Sequence, residues 1–287
     1  MPAIDRTAPA AKLKPPAVDS ADTIGVEDLG VFGAMALMSA IQAGSDAGFR
    51  RLTARTGLGP RLAPHRALRH RLLLTLLNAG VLAPVGSCRR IDDAVADPGW
   101  EDASLEDADW LIVWDDLTRG SLPTRLRTYL DGFVSTPRTR EVLLETWQAL
   151  GIGECLAFGE YALSSHNLNP GLARAAAATL PPILAQQSIA QGCALMWFAA
   201  KHLAAWFLRH GGGASGMAEL EFTKSIQLNF DRALFQDRPI IAFQRHAAVP
   251  LSVLAGIFIW TSRLGETYWT SPISESALDQ ARPSATD

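Results

Sequence analysis

Apolar residues recur at helical spacing along most of the chain. Leu29, Phe32, Met35 or Ala36, and Ser39 or Ala40 share one face and predict a first helix over residues 27–42. Residues 46–56 read as a short second helix that Gly57 and Gly59 end. Pro64 suits the first turn of a third helix. Along it Leu68, Leu72 and Leu76, with Leu73 and Leu77 beside them, form a broad apolar stripe. Asn78-Ala79-Gly80 supplies its stop. Two short extended runs follow, residues 81–85 and 110–114, and the spacing of Trp110 and Trp114 turns both rings inward. Three helices followed by a two-strand ribbon is the order of a winged helix, a variant of the helix-turn-helix unit. Its wing would run from Gly86 to about Asp109.

Residues 117–135 read as a mixed, partly helical connector, and the pattern beyond Pro137 is helical. Residues 139–166 carry Leu143, Trp147, Leu150 and Phe158, with Gly151, Gly153 and Gly159 as soft points. Asn169 caps a helix that Pro181-Pro182 ends. Ser188 caps an apolar helix to His210, which Gly211-Gly212-Gly213 closes, and Ser215 caps another to Phe235. Pro239 breaks the chain, residues 240–243 are extended, and Pro250 opens a final helix to about Leu264. The expected fold is mostly α: an N-terminal winged helix-turn-helix with a small β-ribbon, followed by an all-helical domain. Its parts are a disordered lead-in (1–25), a winged-helix-like domain (26–117), a helical domain (118–273) and a flexible tail (274–287).

Composition narrows the class. The chain has 287 residues, a formal net charge of −3, 48% hydrophobic and 19% charged residues, and 3 cysteines. These values exclude collagen-like, disulfide-stapled and fully disordered chains, and a uniformly basic nucleic-acid coat. Cys88, Cys155 and Cys193 form no CxxC pair, which reads as reduced cysteine in a cytoplasmic protein. Residues 1–16 lack the apolar core of a signal peptide. The longest apolar stretch, residues 189–208, contains Lys201 and His202. A charge at bilayer depth costs roughly 2.5–3.5 kcal/mol, so a buried central helix is expected and no membrane partner. Arg in excess of Lys and abundant Ala suggest a GC-rich bacterial source.

The run from Ala63-Pro64 through Leu76-Leu77-Asn78-Ala79-Gly80-Val81-Leu82 resembles the third helix and first strand of bacterial winged-helix proteins. The run Ser188-Ile189-Ala190-Gln191 to Trp197-Phe198-Ala199-Ala200-Lys201, with Ile226-Gln227 and Arg232-Ala233, resembles the helical second half of a group of uncharacterised bacterial proteins. The similarity spans most of residues 26–273 and rests on hydrophobic patterns, so it implies a fold and transfers no catalytic residue.

Charge is segregated. Residues 50–90 hold Arg50, Arg51, Arg55, Arg61, Arg66, Arg69, Arg71, Arg89 and Arg90 and no acid. Residues 91–116 hold Asp92, Asp93, Asp97, Glu101, Asp102, Glu106, Asp107, Asp109, Asp115 and Asp116 and neither Lys nor Arg. In a helix-turn-helix unit the recognition helix enters the major groove. Arg66, Arg69 and His70 lie off the leucine stripe and are candidate base readers. Arg50, Arg51, Arg55, Arg61 and Arg71 are candidate phosphate contacts. The rival arrangement pairs the basic helix with the acidic wing and leaves no patch for DNA.

A second candidate surface is the wing itself, where Trp100, Asp102 and Glu106 suit a basic protein partner. A third reading is an enzyme in the helical half around Lys201 and His202, read as buried polar residues. The structural alternative has Lys201 reach solvent or pair with Glu154, Glu160, Glu219 or Glu221. The loop from Gly211 to Gly216 follows a helix and lacks the Lys of a phosphate-binding loop. Glu160 and His166 are not at ExxH spacing, and six dispersed histidines give no metal-ligand set. No catalytic residue, metal or cofactor is expected. The expected function is non-enzymatic recognition: a winged helix for DNA or protein binding, and a helical half for dimerisation or sensing.

Overall fold

The computed structural model describes residues 24–53, 58–85, 105, 108–210, 215–236 and 238–282. The protein is mostly helical, with one small three-stranded antiparallel sheet. A 3-10 turn at Glu27–Leu29 leads into α1 (Gly30–Gly44). Helix α1 is buried on nearly every side, between α2 (Arg66–Asn78), α4 (Leu122–Gly132) and α9 (Val253–Ser262). A helix that is apolar all round needs such a site. Its one buried hydroxyl, Ser39 Oγ, donates to the Met35 carbonyl at 2.6 Å.

The expected helix over residues 46–56 is replaced, within the described residues, by a turn and strand β1 (Arg51–Leu52). Asp46 decides this locally. Its Oδ1 accepts from the Arg50 N–H at 2.7 Å and the Arg51 N–H at 3.3 Å, and Phe49 takes φ 51°. Those bonds draw the backbone out of the helical ladder. Helix α2 forms as its stripe predicts, with Leu68, Leu72, Leu73 and Leu76 buried. Its stop is a Schellman motif: Val81 N–H donates to Leu76 O, Gly80 N–H donates to Leu77 O, and Gly80 takes φ 71°.

Strands β2 (Leu82–Pro84) and β3 (Trp110–Ile112) pair with Leu82 opposite Ile112. β1 joins the other edge of β3 with Leu52 opposite Trp110, giving the order β1–β3–β2. Trp110 and Trp114 are both buried, and the Trp110 indole donates to the Leu105 carbonyl at 3.0 Å. The wing expected between β2 and β3 lies largely outside the described residues.

The second half opens with α3 (Asp116–Arg119) and α4, then α5 (Pro137–Ser165), capped by a Thr136/Thr139 box. Helix α5 runs unbroken through Gly151, Gly153 and Gly159. These glycines mark close approaches to neighbouring elements: a Cβ on Gly153 would meet Pro64 Cγ at 2.8 Å, and one on Gly159 would overlap Met196. Asn169 caps a 3-10 segment, Pro170–Ala176. Pro181 and Pro182, expected to end a helix, sit instead in the first turn of α6 (Leu180–Leu184), where missing N–H groups cost nothing.

Helices α7 (Ile189–His210) and α8 (Ser215–Phe235) form an antiparallel hairpin packed on α5 and the 3-10 segment. An extended strap, residues 238–250, crosses back over α5 and α7 to α9. Two short helices follow, α10 (Thr267–Thr270) and α11 (Glu275–Ala281). Residues 275–282 are therefore not a frayed tail. Leu278 is buried, and the Arg282 guanidinium donates to the carbonyls of Thr261, Asp131 and Phe133.

One apolar core runs from Val26 to Leu278, and packing is continuous across residues 117 and 118. The N–H groups of Val253 and Leu254 donate to the Arg61 and Leu62 carbonyls, which ties α9 to the segment before α2. No helix among the described residues is long and apolar enough to cross a membrane.

Candidate functional site

The basic residues proposed as DNA readers do not form one free face. Arg69 is buried, with 8% exposure, and donates from Nη1 to the Ala63 carbonyl at 2.9 Å. Arg71 is exposed but pairs with Glu145 of α5 at 3.1 Å and lies over the Phe32 ring. Arg50 reaches Asp116 at 3.8 Å, so one contact joins the basic and acidic blocks. Arg66 and His70 are half-buried, and both have interaction partners. Arg51 and Arg61 are exposed. Arg55, Trp100, Asp102 and Glu106 lie outside the described residues.

The N-terminal end of α2 is itself occupied. Pro64 and His65 press against Gly153 of α5. Burial, then the charges of Arg69 and Arg174, push the His65 imidazole below its usual pKa. Its Nδ1 accepts from the Ala67 N–H at 3.3 Å, capping the helix. Glu160 lies near the same two arginines, and burial nonetheless raises its carboxyl.

The outer side of the α7–α8 hairpin carries several exposed large apolar side chains. Small residues Gly192, Cys193, Ala199 and Ala200 put one side of α7 against the core. Phe198, Lys201, His202, Ala205 and Leu208 fall on the other side. Lys201 and His202 are thus exposed, so Lys201 takes the alternative of reaching solvent and neither is the buried polar residue of the enzyme reading. Along α8, Ala218, Phe222, Ile226 and Phe230 face inward, while Met217, Leu220, Leu228, Leu234 and Phe235 face out. Leu220 is 64% and Phe235 84% exposed. The polar members of that outer stripe are Lys224, Gln227 and Asp231, with Gln227 Nε2 donating to Asp231 Oδ1 at 2.8 Å.

Between the two helices runs an open groove of about 670 Å³. Phe198, Ala205 and Leu228 supply its apolar surface, and Lys201, His202, Lys224 and Arg232 its basic groups. Its acid, Glu221, pairs with Lys224 at 3.9 Å. Lys201, His202 and Arg232 make no ion pair among the described residues.

A buried polar cluster lies deeper, where the strap crosses α5. Arg245 Nη1 donates to Glu154 Oε2 at 2.7 Å, and its guanidinium stacks 4.3 Å over the Trp269 ring. Glu154 is 2% exposed, and burial raises its carboxyl pKa against the pull of Arg245 and the nearby Tyr268 hydroxyl. Tyr268 makes no hydrogen bond of proper geometry from that hydroxyl, and burial holds its pKa well above the usual value. Cys155 and Cys193 adjoin the cluster as free buried thiols; burial foremost raises the Cys193 thiol well above its usual range. Glu154 and Tyr268 are buried while Arg245 reaches partly to the surface, so the ion pair ties the strap down onto α5.

Sequence reasoning named Glu154 only as a partner for Lys201, and Arg245 not at all. Among the described residues no group of three His, Cys, Asp or Glu side chains can hold a metal ion. No protein-family model, curated protein or solved structure matches the chain.

Proposed function

We propose that this protein is a non-enzymatic recognition protein that works as a homodimer, paired through α8. The observation that carries the reading is the exposed stripe of Met217, Leu220, Lys224, Gln227, Asp231 and Leu234. Its spacing alternates three and four residues, the repeat of a coiled-coil seam. An antiparallel two-fold sets Met217 opposite the second copy's Leu234, Leu220 opposite its Asp231, and Lys224 opposite its Gln227, within a turn of its Asp231. The outermost pair, Met217 with Leu234, is apolar, and the two charges on the stripe, Lys224 and Asp231, are of opposite sign. Such self-complementarity is what a two-fold interface requires. Met217, Leu220 and Leu234 are each more than 40% exposed on this one stripe.

The N-terminal unit keeps part of the winged-helix order: α1 precedes β1, α2 precedes β2, and the sheet order is β1–β3–β2, while the middle helix expected over 46–56 is absent among the described residues. Protein contacts fit this unit better than DNA. A groove-reading helix must present its N-terminal residues to the bases, whereas here Pro64 and His65 pack on α5 and Arg69 turns inward. Two free buried thiols support a cytoplasmic setting.

Light scattering coupled to size-exclusion chromatography tests the reading. The wild type should elute as a dimer, and Leu220→Glu/Leu234→Glu as a monomer with unchanged helical circular dichroism. A wild-type monomer at the highest concentration reached would overturn it.

A further inference from the structure

The groove between α7 and α8 carries an inference that does not depend on the pairing. We infer that it binds a small organic anion with a flat apolar body and a carboxylate, sulfonate or phosphate head. Its volume of about 670 Å³ lies within the range of roughly 300–1,000 Å³ of small-molecule sites.

The apolar wall is rigid. Phe198 meets Phe243 edge to face, with ring centroids 6.1 Å apart, and Phe243 packs in turn on Phe158. The Phe243 backbone is fixed at both ends: its N–H donates to the Ala190 carbonyl at 3.2 Å, and its carbonyl accepts from the Trp269 indole at 2.9 Å. Phe243 in turn backs Phe198, the ring that lines the groove and stays 41% exposed to a ligand. Leu228 faces it from α8.

The polar side selects charge. Lys201 and Arg232, with His202 beside them, line the same groove and make no ion pair with a carboxylate among the described residues. Lys224 is the basic group there that Glu221 already offsets. Three basic side chains around one apolar wall suit an anionic head, where charge-assisted hydrogen bonds are the stronger kind. A neutral ligand would leave them unused, and a cation would be repelled. Lys201 and His202 thus form part of a binding surface, with Arg232 from the neighbouring helix completing it.

The test uses the full chain and two fluorescent probes: the anion 1-anilinonaphthalene-8-sulfonate and its neutral analogue N-phenyl-1-naphthylamine. The sulfonate should bind saturably, and Lys201→Gln/Arg232→Gln should weaken it about tenfold by removing two charge-assisted contacts. The neutral probe should bind more weakly and be indifferent to that double substitution. Both substituted side chains are exposed, so circular dichroism should show an unchanged fold. Equal affinity of wild type and variant for the sulfonate, equally tight binding of the neutral probe, or no saturable binding would each overturn the inference. A monomeric chain that binds the sulfonate with this charge dependence would remove the dimer and leave the anion site standing.

Discussion

Arg245 and Glu154 are 91 residues apart in sequence and 2.7 Å apart in space. Their ion pair is the polar anchor of the strap that crosses α5 and α7. Removing one partner of a buried pair strands the other charge, at a cost of about 3–5 kcal/mol. Arg245→Ala, which strands Glu154 at 2% exposure, should therefore lower the unfolding free energy in urea by about that much. The double variant Glu154→Leu/Arg245→Met should lose far less, because it leaves no uncompensated charge. Equal losses in the two variants would mean that the pair is not the anchor.

Arg69 was expected to read DNA and instead braces the turn before α2. Hydrogen bonds from charged groups contribute about 1.5–3 kcal/mol, so Arg69→Met should cost about 2 kcal/mol by chemical denaturation. Arg61→Gln, at an exposed side chain, should stay within about 0.5 kcal/mol of wild type. The two substitutions should have the same negligible effect on fluorescence anisotropy with duplex DNA at low salt. A salt-sensitive DNA affinity that Arg69→Met removes without loss of stability would return the helix to the role of reader.

What was legible in the chain was what local spacing determines. The Leu68/Leu72/Leu76 stripe, the Gly80 stop, the inward Trp110 and Trp114, and the span of α8 all follow from residues within a few turns of one another. β1 was hidden because two residues carry no periodicity. Its place is set by Leu111 and Trp110 across the sheet and by Asp46 bonding the backbone beside it. Gly153 and Gly159 read as weak points in α5 because helix propensity penalises glycine. At Gly153 the opposite holds, since the Pro64 ring comes within 2.8 Å of where a Cβ would lie. Lys201 and His202 were found by type but misplaced by depth. A run of mean apolar character conceals that one side of α7 carries Phe198, Lys201, His202 and Ala205 to the surface. The Glu154–Arg245 pair, built across 91 residues, had no local signal at all.

His65 gives a pH dependence with a definite sign. Burial and the charges of Arg69 and Arg174 disfavour its imidazolium in the folded chain, and its Nδ1 must stay unprotonated to cap α2. Its folded pKa is lower than the unfolded value of about 6.5. The stability it contributes is therefore full above that value and is lost as pH falls through the folded one. His65→Asn keeps a capping oxygen without the titration. Urea unfolding between pH 7 and pH 5 should show wild type losing stability relative to His65→Asn. A constant difference across that window would show that His65 titrates alike in both states. Glu160, with its raised carboxyl, stays in both chains and cancels from the comparison.

The close crossing of α5 and α7 offers a test in which packing and helix propensity oppose each other. Exchanging a helix-interior glycine for alanine ordinarily gains up to about 1 kcal/mol. At Gly192 the new Cβ would lie 2.7 Å from Cys155 Sγ and 3.2 Å from Leu184 Cδ2. Overpacking of that kind costs about 1–3 kcal/mol, so Gly192→Ala should be destabilising on balance. Gly256 of α9 is the contrasting site. Its nearest neighbour would be Leu251 Cδ2 at 3.8 Å, an ordinary contact, and Gly256→Ala should stabilise by about 0.5–1 kcal/mol. Adding Cys155→Ala to Gly192→Ala removes the sulfur that the new methyl strikes. Thermal unfolding should then show the double variant recovering part of the loss, the non-additivity expected of two positions in contact. Strict additivity would place the crossing farther apart than these distances.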